Sequence, residues 1–441
     1  MRKLCSCFYF VKFLVTCLLS IVIIGCTENK QPNIILIMAD DLGYGDLGCY
    51  GSIHIQTPNI DRLADSGVRF LDYHSNGAVC SPTRAALMTG RYQQRSGIEG
   101  VVTAAGHRHT GLSTEEYTIA DYLGSTGYYT GIIGKWHLGY DTAFSPINNG
   151  FNYFKGYVSG NIDYHSHIDQ TGYFDWWLNK DTIIEEGYVT DLITDAAVEF
   201  IRKRQDNPFF LYISHEAPHY PYQGRNDRAD RTIGGEFPVP GSRPDKENAY
   251  REMIQVMDEG IGEIITVLEQ TGLLENTFLF FCSDNGANST GSNQPLKGYK
   301  GKLWEGGHRV PAIAYWKDRL EPGMNDETIL SMDLFPTLIS IAGNDLPDNV
   351  DFDGQDFSRS LFFGHTLQER PVFWRFKNQR AIRKGTWKLL VDGENSFLFN
   401  LESDPGEGKD LKADYPAITD TLQVLLDQWT EEMDRFAPRT K

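Results

Sequence analysis

A chain of 441 residues is long enough for a large buried core and two packed units. Its 41% hydrophobic, 23% charged and 12% aromatic content excludes a globally disordered polymer. Lys and Arg total 41 against 59 Asp and Glu, and the net charge of −18 excludes long-range attraction of nucleic acid or another polyanion; an anionic substrate would need positive charge gathered in a pocket.

The chain opens with Arg2 and Lys3, an apolar stretch over residues 8–24, and then Gly25-Cys26. A short basic region, an apolar segment and small residues at the boundary form an export signal. The cysteine after the glycine has the pattern of a bacterial lipobox. The expectation is a lipoprotein signal peptide over residues 1–25, a lipid on Cys26 that attaches the protein to a membrane, and a tether over 26–32. An uncleaved membrane anchor is the alternative, since the stretch is not far below spanning length. Either places the remainder outside the cytoplasm, facing the periplasm or the exterior. Cys5, Cys7 and Cys17 leave with the leader, so Cys49, Cys80 and Cys282 remain and no disulfide framework is visible.

Residues 33–39, 129–133, 209–213 and 277–281 are continuous apolar runs, which predicts strands buried on both faces. Helical patterns over 190–204 and 248–270 lie between them. The alternation predicts an α/β fold with a large, mainly parallel sheet between helices. Each run ends in polar residues: Asp40 and Asp41, Lys135 and His137, His215 and His219, Asp284 and Asn285. Open α/β sheets bind ligands beyond the carboxyl ends of their strands, so four distant segments are expected to share one site. A helix over 332–342 is expected to close a catalytic unit of residues 33–345. Beyond it, short strand-like pieces at 371–376, 379–382, 387–391 and 396–401 and a helical pattern over 415–435 predict a smaller α+β subdomain, 346–441, with an antiparallel sheet.

Cys80-Ser81-Pro82-Thr83-Arg84 is the most informative stretch. Ser81 suits an N-cap and Pro82 a first helical position, predicting a helix over 83–89 whose free amides point at residue 80. Arg84, four residues on, reaches the same end. Asp40, Asp41, Asp284 and Asn285 are hard oxygen ligands suited to Ca²⁺, less so to Mg²⁺, and not to zinc. An Asp-Asp pair or an Asp-Asn-Gly run alone is ordinarily a turn; here both follow buried strands.

With Gly134-Lys135-Trp136-His137 and Lys300-Gly-Lys-Leu-Trp-Glu-Gly-Gly, these motifs resemble the formylglycine-dependent sulfatases, from about Asn33 to the C-terminal end. The resemblance implies an alkaline phosphatase-like core with a smaller C-terminal subdomain. It implies that a maturase oxidises Cys80 to formylglycine, whose hydrate attacks sulfur with one hydroxyl and releases sulfate by way of the other. It assigns calcium to Asp40, Asp41, residue 80, Asp284 and Asn285, and sulfate oxygens to Lys135 and Lys300. His137 would assist aldehyde regeneration and His219 would protonate the leaving alcohol. His215 rivals His219, and Lys302 rivals Lys300. The segment 159–178, rich in polar and aromatic residues, is the candidate substrate reader through Ser159, Asp163, His165, His167 and Trp176; its His-x-His also suits a transition metal, and Trp176-Trp177 also suits plain core. The reading is a sulfatase of sulfated saccharides, glycosaminoglycan or algal. A phosphate or phosphonate ester hydrolase on the same fold and a non-catalytic glycan-binding lipoprotein are the alternatives.

Overall fold

In the run Asn33–Ala39 every residue after Asn33 is apolar, and the strand it forms is buried along its whole length. Alternate side chains leave a strand in opposite directions. Ile35, Ile37 and Ala39 enter one core, while Ile34, Leu36 and Met38 enter another. Each fully buried Ile or Leu contributes roughly 1.5–3 kcal/mol, so both faces require a helical cover. Val189–Lys203 and Lys246–Gln270 cover the first face. Cys80–Thr89, Ile119–Ser125 and Leu334–Ile341 cover the second.

The computed structural model describes residues 30–204, 207–237, 241, 243–347, 350–436 and 438–440. The expected signal peptide and Cys26 lie outside these residues. From Pro32 onward the chain forms one compact unit. Its ten-stranded sheet runs, edge to edge, Gly323–Asn325, Val68–Phe70, Ala312–Tyr315, Thr277–Ser283, Asn33–Ala39, Phe209–Ser214, Tyr129–Lys135, Tyr153–Tyr157, Trp177–Leu178 and Asp181–Thr182. The five strands from Thr277–Ser283 to Tyr153–Tyr157 pair in parallel. Ala312–Tyr315 and Trp177–Leu178 pair antiparallel on either side of them. The sheet is therefore mixed and mainly parallel, as expected.

Register brings the polar strand ends level. Ala39 lies opposite Ser283, Met38 opposite Ser214, and Gly134 opposite Ser214. Asp40, Lys135, His215 and Asp284 therefore emerge at one edge. Gly134 has a φ of +100°, and a Cβ there would stand 2.0 Å from the Ser214 carbonyl oxygen. Only glycine permits this close crossing just before Lys135.

Val372–Phe376, Gln379–Lys384, Trp387–Asp392 and Asn395–Asn400 form a four-stranded antiparallel sheet. The helix Pro416–Met433 packs on it through Leu422, Leu426 and Trp429. Ala86, Leu303 and Leu330 share this core, joining the small sheet to the large one. The helix expected at 332–342 is a 3₁₀ turn at Ser331–Asp333 followed by the helix Leu334–Ile341.

Candidate active site

The helix carrying Cys80 starts earlier than its caps suggest. It runs Cys80–Thr89, after Val79 in extended conformation (φ −149°, ψ 160°), with no side-chain cap. Ser81 is inside the helix, and its Oγ accepts from the Val102 amide at 3.0 Å. The Cys80 side chain is thus fixed at the helix N-terminus, where unpaired amides favour negative charge. Its Sγ lies 3.6 Å from Asp40 Oδ1 and 3.3 Å from Lys300 Nζ. Burial pushes the thiol up to about 12, against the opposing pull of Lys135 and Lys300. At neutral pH the group is a protonated thiol and a poor nucleophile. Cys49, Cys80 and Cys282 are all free.

Three carboxylates crowd the same point. Arg84 is almost wholly buried and donates to Asp284 Oδ2 through Nε at 3.2 Å and Nη2 at 2.8 Å; its Nη1 reaches Ser214 Oγ. Burial and the adjacent Asp40 push Asp284 up to about 6 despite Arg84. Burial also pushes Asp41 upward, but Lys300 and His219 outweigh it and hold that carboxyl at about 2. Lys135 ion-pairs with Asp40, and Lys300 lies 2.6 Å from Asp41 Oδ1.

This donor set fits a hard cation. Asn285 Nδ2 donates to Asp41 Oδ1 at 2.7 Å, while Asn285 Oδ1 is buried without a hydrogen-bond partner. A buried amide oxygen left unpaired costs about 1–3 kcal/mol, which a cation shared with Asp40, Asp41 and Asp284 would relieve. Ligand atoms of Asp40, Asp41, Cys80 and His219 lie within 4.8 Å of one another. Asp41 holds a left-handed φ of 64°, a strained conformation of the kind that concentrates at functional sites.

The two histidines are fixed in opposite tautomers. His219 Nδ1 donates to the Tyr220 carbonyl at 2.6 Å, leaving Nε2 3.8 Å from Asp41 Oδ2. His137 Nε2 donates to the Val102 carbonyl at 3.0 Å, leaving Nδ1 buried and unpaired. A carbonyl only accepts, so each ring presents its other nitrogen as a lone pair. Burial pushes both rings well below the ordinary histidine range, with help from Lys300 at His219 and Lys135 at His137.

The rivals separate cleanly. Lys300, and not Lys302, reaches Asp41 and Cys80. His219 joins the carboxylate cluster, whereas His215 is buried with neither ring nitrogen paired, and burial pushes it down to about 4.

The segment 159–178 is held by bonds of its own. Ser159 precedes Gly160, whose backbone lies against the His137 ring; a Cβ at Gly160 would stand 2.7 Å from His137 Nε2. The Ser159 Oγ, however, donates to the Asn161 carbonyl. Asp163 is buried and accepts from the amides of His165, Ser166, Asp230 and Arg231 and from Gln223 Nε2. His165 and His167 bond the carbonyls of Gly224 and Gly187. Trp176 is fully buried against His167, with Nε1 on Glu185. These four side chains hold the insert together, because a long loop must satisfy its own buried backbone.

Other contributors carry no motif. Tyr250, mid-helix, places its hydroxyl 3.0 Å from the Asp41 carbonyl and 2.6 Å from Asp46 Oδ2. Asn288 Nδ2 sits 3.5 Å from Asp41 Oδ2 and donates to the Tyr222 hydroxyl at 2.9 Å. Ser214 anchors Arg84 from the end of its strand.

The family model described as Sulfatase matches residues 32–344. Human arylsulfatase A is 33% identical over an alignment covering 91% of this chain and 87% of the relative. The rat N-acetylgalactosamine-6-sulfatase is 34% identical, covering 81% and 71%. A crystal structure of Ps i-CgsB in complex with k-i-k-neocarrahexaose superposes with a TM-score of 0.82 at 31% identity, covering 91% and 93%. With its alkaline phosphatase-like sheet and this degree of likeness, the chain belongs to the sulfatase family and is a sulfuric ester hydrolase.

Proposed function

We propose that this sulfatase removes sulfate from sulfated saccharides, using a formylglycine made from Cys80 and a divalent cation, Ca²⁺ ahead of Mg²⁺. The observation that carries the mechanism is the placement of residue 80 at a helix N-terminus, between Lys300 and Asp40 and beside an unpaired Asn285 oxygen. As a hydrated aldehyde, residue 80 would supply one hydroxyl to attack sulfur and a second to expel sulfate. The cation, held by Asp40, Asp41, Asp284 and Asn285, would polarise a sulfate oxygen.

The chain's own residues divide the remaining work. Lys135 and Lys300 concentrate positive charge where an anionic ester must sit, the local condition that a net charge of −18 imposes. Arg84 holds Asp284 in place as an acceptor for the attacking proton. His137 Nδ1, buried and unpaired, is a base for the proton lost as the aldehyde returns. His219 Nε2 faces the site and would serve the leaving alcohol as a proton donor only in the imidazolium form, which the negative charge of a bound sulfate ester favours against the burial and Lys300 that oppose it. Sugar alkoxides are poor leaving groups, so proton delivery contributes about 10²–10⁴-fold.

Carbohydrate is favoured by the relative named for N-acetylgalactosamine 6-sulfate and by the neighbour bound to a neocarrahexaose. Export and a lipid on Cys26, through the leader pattern, would place the enzyme where such polymers occur. Among the described residues no helix is long and apolar enough to cross a membrane. The test is sulfate release from sulfated mono- and oligosaccharides by protein co-expressed with a maturase, with Cys80→Ala as the blank. Aryl sulfates, phosphate monoesters and phosphonate esters run alongside. Faster turnover of a sulfated sugar than of any other ester is expected; preference for phosphate or phosphonate esters would overturn the reading.

A further inference from the structure

We propose that Arg108 is an anion subsite on the rim of the active site, taking a second anionic group, a sulfate ester or a carboxylate, carried by a sugar next to the one that is desulfated. The inference rests on the saccharide reading above and names the substrate more narrowly: a polyanionic oligosaccharide.

Arg108 is built into position. Its Nη2 donates to Asp169 Oδ2 at 3.0 Å and to Thr171 Oγ1 at 2.6 Å. The guanidinium lies 4.0 Å from the Tyr173 ring centre and 5.4 Å from that of Tyr140. Two aromatic rings and two bonds on one nitrogen hold the plane of the group, and a guanidinium so held loses little freedom on binding. Nε and Nη1 make no hydrogen bond among the described residues, and the Arg108 side chain is 34% exposed. With Nη2 already engaged, Nε and Nη1 each present single N–H donors, on different edges of the group, to an oxyanion. Asp169 offsets part of the guanidinium charge, and the Thr171 and Tyr173 amides and the Thr171 hydroxyl on its other oxygen spread the carboxylate's charge away from Arg108. Its carboxylate is buried, whereas Tyr173 is 60% exposed beside the guanidinium, a surface suited to a sugar ring.

The same elements touch both catalytic histidines. Tyr140, on which Arg108 rests, points its hydroxyl at the Val102 carbonyl that holds His137, and it accepts from the Gly160 amide. Gln170, between Asp169 and Thr171, donates to the Tyr220 hydroxyl at 3.4 Å, and the Tyr220 ring lies 4.3 Å from that of His219. The loop 169–173 therefore spans from the His137 side to the leaving-group side. A sugar joined to the leaving alcohol would pass beneath it.

The experiment compares Arg108→Ala, Arg108→Lys and the parent enzyme on three matched oligosaccharides: one with a neighbouring sulfate, one with a neighbouring carboxylate and one with neither. Arg108→Ala should raise KM for at least one doubly anionic substrate by about ten-fold more than for the singly sulfated one, with kcat little moved. Arg108→Lys should fall between, and added salt should erase the difference. The first two substrates distinguish sulfate from carboxylate. An equal rise on all three would make Arg108 a prop for the insert and overturn the proposal, as would no rise at all. If the parent enzyme desulfates saccharides and only this contrast is missing, the subsite alone falls. If it desulfates none, the saccharide reading and the subsite fall together.

Discussion

Among the described residues, two clusters of buried charge that each include potential metal ligands have nearly interchangeable residue types. One is the site of Asp40, Asp41, Asp284, Arg84, Lys135 and Lys300. The other joins the large sheet to the small one: Asp72, His74, Glu305, His308, Arg309, Arg383, Lys388 and Glu407. Each offers a group of potential metal ligands within 4.8 Å. The second, however, is closed by its own partners. Arg383 lies 2.7 Å from Asp72, and Lys388 lies 2.8 Å from Glu305 and 2.9 Å from Glu407. His74 and His308 face one another through Nδ1 at 3.0 Å, and Trp374 stacks on His308. In the first cluster Asn285 Oδ1 and His137 Nδ1 have neither a hydrogen bond nor an ion pair, whereas Glu407 Oε1 in the second, which also makes no hydrogen bond, is ion-paired with Lys388. Buried charge alone does not mark a functional site; buried charge with unpaired atoms does.

The comparison is sharpened most by Cys80→Ala, which should reduce turnover by at least ~10⁴-fold with little change in unfolding midpoint. A large loss of stability would mean that the first cluster is structural as well. His219→Gln should cost about 10²–10⁴-fold on sugar sulfates and markedly less on aryl sulfates, whose leaving groups need no proton. Lys388→Met should act in the opposite sense, lowering stability by about 3–5 kcal/mol because two buried carboxylates lose their partner. Urea unfolding measures this, and KM of the folded enzyme should hold.

Acid should act on the second cluster as well. Burial pushes Asp72 upward, but Arg383 and Arg309 outweigh it and hold the carboxyl well below its ordinary range. A depressed carboxyl stabilises the fold above its unfolded value and loses that contribution as pH falls through its folded value. Unfolding free energy should therefore decline below about pH 4, and less steeply in Arg383→Gln. The smallest effect is expected from Trp176→Phe: about 1 kcal/mol for the lost bond to Glu185, with KM on the best saccharide within about two-fold. A large rise in KM would return Trp176 to the substrate.

The sheet was legible because strands buried on both faces tolerate few polar residues, so 33–39 and 277–281 read as runs. The acidic cluster was legible for the same reason, since Asp40 and Asp284 break those runs at the strand ends. The helix start at Cys80 was not, because extended Val79 precedes it and Ser81 bonds a distant amide. Composition does not separate the two roles in the insert: residues fit to read a sugar are equally fit to close a loop, and Asp163 accepts five such bonds. Arg108 gave no signal, since its partners Asp169, Thr171, Tyr140 and Tyr173 lie far along the chain.

The most direct test of the mechanism is peptide mass spectrometry of the Cys80 segment in protein from a host that carries a maturase. The account predicts a peptide lighter by about 18 Da than the cysteine form, the mark of thiol converted to aldehyde, with sulfatase activity rising in proportion to that fraction. Full activity from protein in which residue 80 is still cysteine would contradict it.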